Sequence, residues 1–145
     1  VRILALILLG SLMFVMLFTA SLSDLLKYNV LDFQFVLQPE FEFFKAYWLR
    51  EDLIVRKIGH FCIFALLFLH IFYLSNHVQR AVMLSLLVAL LSEVLQPYFS
   101  RDGRMMDVLI NSAGVLMMAG ITQLWLVLKD EESNMIREEI NQTFD

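Results

Sequence analysis

Of the 145 residues, 59% are hydrophobic and only 18% are charged, with a mean hydropathy of +0.70, which excludes an ordinary soluble domain and indicates an integral membrane protein. The net charge of −4 comes without any basic tract, so nucleic acid is set aside as a partner. The single cysteine, Cys62, lies in an apolar run and leaves no internal disulfide to form.

The apolar runs are rich in Leu, Ile, Met, Phe and Ala and lack strand-like alternation, and the whole chain has only two prolines and five glycines. Such runs predict helices and not a barrel. The expected fold class is an all-α membrane protein: four transmembrane helices in a bundle, with a short interfacial amphipathic helix between the first and second. Residues 1–129 form one domain and residues 130–145 an acidic polar tail.

The first run, residues 3–20, is 18 residues long, uncharged and preceded by Arg2. At about 1.5 Å per residue this is near the minimum for a span. A signal peptide is the rival reading, but the run is long for the apolar core of one, so an uncleaved first helix is preferred.

Residues 21–57 form a loop of mixed charge. Phe33, Phe35, Phe41, Phe43, Phe44, Tyr47 and Trp48 crowd around Pro39, and aromatic rings beside charges favour the headgroup layer. Residues 40–50 are read as an amphipathic helix on the membrane surface, or else as a cap over the bundle mouth. The second span covers residues 58–74 and, after a short polar link, the third covers residues 77–96. Pro97 ends it, having no amide donor and disfavouring helical geometry in the residue before it. The fourth span, residues 107–128, ends at Lys129.

With alternating spans, the start of helix two, the end of helix three and the start of helix four share one membrane face. The polar residues converge there. Lys57, His60 and Phe64 lie on one face of helix two, and Asp107, Asn111, Gly114 and Met118 on one face of helix four. Glu93 and Gln96 stack near the end of helix three. Charged groups at such depth cost a few kcal/mol unless paired or wet, roughly, so they require a reason.

The pattern Lys57, His60-Phe61, Phe64, then Glu93 and Gln96, then a loop arginine best matched by Arg101, then Asp107, Asn111 and Gly114 resembles the VanZ-like family of small bacterial membrane proteins. The likeness runs from about Arg56 to Gly120, and four pieces in order on three expected spans make it specific. Arg104 matches less well than Arg101. Two departures are Arg56, where the family has an acidic or polar residue, and the position of Pro97. The resemblance implies a multi-pass protein of the cell envelope and a link to resistance against a lipid-tailed glycopeptide antibiotic, teicoplanin. It implies no reaction.

Three readings of the polar residues stay open. In the first, they bind an anionic lipid or lipid-linked head group, with Lys57 and Arg101 on phosphate, Asp107 orienting Arg101, and His60, Glu93, Gln96 and Asn111 completing the site. The free amides at the start of helix four favour the same anion. Partners would be membrane lipids, lipid-linked envelope precursors or lipophilic antibiotics. In the second, a membrane enzyme uses His60 as base with Glu93 or Asp107 as partner, although no nucleophile is identified. In the third, the groups only tie helix ends together. No cofactor is expected, and no known metal-ligand spacing is present. Gly114 and Gly120 are assigned to close helix contact, and Cys62, His70 and Gln123 to packing or interhelical hydrogen bonds.

Sidedness draws on conflicting signs. The terminal side carries Arg2, Arg80, Lys129 and Arg137, against seven bases on the motif side, so a literal count puts the motif in the cytoplasm. Several of those seven belong to the polar site, however, and Val1 in place of Met leaves room for a longer basic start. The preferred placement is the bacterial inner membrane, both termini cytoplasmic and the polar site on the outer face.

Overall fold

A computed structural model describes residues 2–19, 25, 28–40, 51–101 and 103–144. Four α-helices account for most of them: α1 (Arg2–Phe18), α2 (Glu51–Ser75), α3 (Val78–Leu95) and α4 (Met105–Phe144), with a 3-10 turn at Gln96–Phe99 after α3. No strand occurs among the described residues. Among the described residues three stretches are long and apolar enough to cross a membrane: Arg56–Ser75, Val78–Phe99 and Met105–Gln142. They coincide with the second, third and fourth expected spans. The helix expected as the first span forms, but its 17 residues measure only ~25 Å at the usual rise. That falls short of a hydrocarbon core of about 30 Å.

The exterior argues for a membrane independently of composition. Leu66, Leu84, Leu87, Leu91, Leu109 and Leu116 all face outward, while Glu93, Arg101, Arg104 and Asp107 are buried. Water would favour the opposite distribution, and lipid favours this one.

α2, α3 and α4 pack mutually, and α1 leans on α2 and the 3-10 turn. The core is Phe64 and Phe68 from α2, Val115 and Ala119 from α4, Met13 and Leu17 from α1, and the small residues Ala81 and Ala89 of α3. Small side chains at Ala81, Ser85, Ala89 and Ser92 recur at helical spacing, so α3 presents a flat buried stripe to its neighbours. Between α2 and α3 the chain reverses over Asn76 and His77. Asn76 takes the left-handed conformation at φ 53 and donates its amide to the Phe72 carbonyl at 2.8 Å, which closes the helix end.

Two boundaries depart from the sequence reading. α2 begins at Glu51 and not near Lys57, so Arg56 and Lys57 are already one turn inside a helix. α4 does not stop at Lys129 but continues through the acidic tail, a helix of 40 residues, ~60 Å long, about twice a membrane core. Lys129 sits 5.2 Å from the Trp125 ring centre, a pairing suited to the membrane boundary. The interfacial helix expected at residues 40–50 lies outside the described residues except for Glu40.

Of the two glycines assigned to close contact, Gly114 fits and Gly120 does not. A Cβ on Gly114 would collide with the Phe61 carbonyl of α2, whereas one on Gly120 would meet no atom within 4 Å among the described residues. Cys62 and Gln123 also face outward instead of packing between helices. Gly114→Val should therefore destabilise the folded protein by about 1–3 kcal/mol through forced separation of α2 and α4. Gly120→Ala should leave the thermal unfolding midpoint in detergent unchanged or slightly raised, as glycine is a poor helix former.

Candidate functional site

The site begins with Glu93, which is 1% exposed in the last turn of α3. A carboxyl group there needs donors, and three elements supply them. Asn111 Nδ2 of α4 donates to Glu93 Oε1 at 3.1 Å, and Gln96 Nε2 lies 3.5 Å from the same oxygen. The backbone amide of Arg104 donates to Oε2 at 3.3 Å. His60 Nδ1 of α2 lies 3.6 Å from Oε1 and 3.1 Å from Asn111 Oδ1.

The Asn111 amide fixes the histidine. With its NH₂ turned to Glu93, its oxygen faces His60, so Nδ1 carries the proton and donates. The tautomer follows from this assignment of the amide. It leaves Nε2 with a bare lone pair, buried and without a hydrogen-bond partner among the described residues. The convergence expected from the sequence is thus formed by direct contacts between α2, α3 and α4.

The segment from Gln96 to Met105 returns the chain to this cluster. Pro97 opens the 3-10 turn, and Ser100 ends it in the left-handed region at φ 55. That reversal lets the Arg101 amide reach the Gln96 carbonyl at 3.3 Å. Gly103 then passes so close to α3 that a Cβ would collide with the Glu93 carbonyl oxygen. The Arg104 carbonyl accepts from the amides of Asp107 and Val108, starting α4.

Arg101 and Arg104 are both buried, at 7% and 8% exposure. Arg101 lies in the fields of Arg56, Glu93, Asp107 and Arg104. Burial first, and the Arg56 charge second, bring its pKa down to about 10, still far above neutrality, so the guanidinium stays charged. Asp107, expected to orient Arg101, lies in its field and forms an ion pair with Arg56 at 3.9 Å. Lys57 is half-buried on α2. The neighbouring Arg56 takes the bridging place between α2 and α4.

Arg101 also lines a cavity of about 320 Å³, with Val36, Gln38, Pro39, Glu40, Pro97 and Ser100. Residues 36–40 are held over the turn by the Val36 amide, which donates to the Tyr98 carbonyl at 2.8 Å. Beside it, Phe14, Phe18, Phe35, Leu95, Tyr98 and Phe99 line an apolar groove of about 550 Å³. His60 lines neither space. No group of three His, Cys, Asp or Glu residues is placed to hold a metal among the described residues.

The sequence did not single out Gly103, the Arg104 amide or the Val36–Tyr98 bond as parts of the site. Gly103 alone had a visible signal, as a glycine in a short link beside Glu93. The other two contributions come from backbone groups, which every residue carries.

Helices that turn leucines outward while burying acids and guanidinium groups at one end define a multi-pass membrane protein with a polar site. The VanZ/LLP1 family model matches residues 2–126, and the chain belongs to the VanZ-like family. No curated protein and no solved structure matches it.

Because Asn111 serves Glu93 and His60 at once, Asn111→Ala should lower stability by about 1–3 kcal/mol, the cost of leaving buried polar groups short of partners. Asn111→Gln, which keeps the amide but shifts it by one carbon, should fall between the two. Thermal unfolding in detergent reads both.

Proposed function

We propose that this VanZ-family membrane protein binds a phosphate-bearing lipid head group in the cavity walled by Arg101. The observation that carries the reading is the placement of Arg101, buried at 7% exposure yet bordering a polar space with Gln38 and Ser100. A guanidinium presents a planar fork of donors suited to phosphate, and partial burial strengthens that attraction. Gln38 and Ser100 add groups able to bond further oxygens.

The Glu93 network supports the reading as a frame. Glu93, Gln96, Asn111 and His60 are turned mainly toward one another, so they fix the ends of three helices and leave Arg101 to meet the ligand. This revises the division of labour among the expected ligand residues: one binds and the others position it. His60 borders neither cavity beside the turn, so in this reading it belongs to the frame.

In the proposed arrangement α1 acts as the fourth span, its short length met by local thinning of the bilayer. The chain sits in the bacterial inner membrane, with both termini cytoplasmic and the Arg101 cavity at the outer surface. There it would meet lipids, lipid-linked envelope precursors and lipid-tailed antibiotics of the kind associated with the family.

Lipid identification on purified protein tests the binding. Arg101→Ala should lose co-purifying phospholipid by about tenfold or more, the equivalent of one charged hydrogen-bonding pair. Glu93→Gln should lose less, since it disturbs only the frame. Full retention of lipid by both folded variants overturns the proposal. For orientation, Ser100→Cys should react with an impermeant maleimide on intact cells, and Ser133→Cys only after permeabilisation. The reverse pattern places the cavity in the cytoplasm.

A further inference from the structure

The Arg101 cavity is not uniformly basic. Glu40 borders the same space, across from the turn that carries Arg101, with Gln38 between Val36 and Glu40 on the loop side. A purely anionic occupant would draw close to the Glu40 carboxyl group while satisfying Arg101, and like charges in a confined space oppose binding. A head group bearing both a phosphate and an ammonium removes that conflict. Its phosphate would meet Arg101 and its ammonium Glu40, each through charge-assisted hydrogen bonds.

The neighbouring groove indicates what the head group is attached to. Phe35 borders the apolar groove and the next residue, Val36, borders the polar cavity. On the facing turn, Tyr98 and Phe99 border the groove, and Pro97 and Ser100 the cavity. The Val36–Tyr98 hydrogen bond runs along this seam. The groove has no polar lining residue apart from Tyr98, and its rings form a continuous set. Phe18 and Phe99 lie 4.7 Å apart, Phe14 and Phe18 5.1 Å, and Phe35 and Phe99 5.8 Å. At about 320 Å³ the polar cavity is at the small end of ligand sites and suits a head group but not a whole lipid.

We propose that the cavity and the groove together take one zwitterionic amphiphile, a phospholipid with a primary amine in its head group, with phosphate on Arg101, ammonium on Glu40 and an acyl chain along the Phe14–Phe18–Phe99 groove. This rests on the reading of Arg101 as a phosphate ligand and adds Glu40 and the groove as the determinants of selectivity. Glu40 is exposed and takes no part in the buried network, so its replacement tests the site without testing the fold.

The experiment is native mass spectrometry of the detergent-solubilised protein titrated with phosphatidylethanolamine or phosphatidylglycerol of identical chains. The native protein should favour phosphatidylethanolamine by about fivefold, as expected of one partly exposed charge pair. Glu40→Gln should bring the two lipids to equal binding. Absence of selectivity in the native protein, or selectivity unchanged in Glu40→Gln, overturns the inference. Arg101→Ala separates this from the underlying reading: loss of both lipids preserves phosphate binding at Arg101 even if selectivity is absent, and retention of both removes it. Soluble glycerophosphoethanolamine should compete only at about a hundredfold higher concentration, because it lacks the chain that fills the groove. Competition at equal concentration would assign recognition to the head group alone and overturn the role of the groove.

Discussion

The end of this bundle is organised by the need to satisfy one buried carboxyl group. Glu93 lies where neither water nor lipid can serve its oxygens, and an acceptor left bare there is costly. Its donors come from a side chain on α4, a side chain at the start of the 3-10 turn that follows α3, and a backbone amide in the link between α3 and α4. Each donor fixes the position of a different element. The carboxyl group thus sets the relation of α3 to α4, and through Asn111 it also sets His60 and α2. Apolar contacts in a bilayer do little to choose one helix register over another, since lipid tails are as apolar as leucine. The directional bonds of Glu93 supply that choice.

The link from Gln96 to Met105 follows from the same requirement. It must bring an amide to Glu93 within a few residues of leaving α3, so the chain has to turn sharply and then pass close to the helix it has just left. Pro97 and the left-handed Ser100 make the turn, and Gly103 makes the close passage. Arg101 is carried inward by this path. Its burial is a consequence of where the backbone must go, and the same path places it against the loop segment that Val36 pins to Tyr98. A frame on one side and a pinned loop on the other leave Arg101 with little conformational freedom, the preorganisation that the proposed head-group site would use.

Much of this was legible in the sequence because hydropathy and helical spacing are strong signals in a membrane protein. The three crossing helices and the meeting of His60, Glu93, Gln96 and Asn111 follow from run lengths and three-and-four spacing. Other features depended on information that spacing does not hold. Arg56 and Lys57 are adjacent, about 100° apart on a helix, and which of them faces α4 depends on the phase of a helix that begins further back than hydropathy suggested. Arg104 contributes through its amide, a group its side chain does not announce. The continuation of α4 had a signal of a negative kind: after Gly120 there is neither glycine nor proline to stop the helix, and charge alone does not end one.

The polar network and the two cavities also divide the family resemblance in a useful way. Lys57, His60, Phe61, Phe64, Glu93, Gln96, Arg101, Asp107, Asn111 and Gly114 carry the likeness to VanZ-like proteins, and of these His60, Glu93, Gln96 and Asn111 bond one another across the helix ends. Gln38, Glu40 and the groove residues Phe14, Phe18 and Phe35 lie outside the stretch from about Arg56 to Gly120, although within the matched region, whereas Tyr98 and Phe99 lie inside that stretch. Under the proposed function, the motif supplies both the frame around Glu93 and the phosphate ligand Arg101, while Gln38, Glu40 and part of the groove come from the part of the chain before it. Substitutions at an exposed Glu40 leave Glu93 and its donors intact, so the proposed selectivity can change while the fold does not.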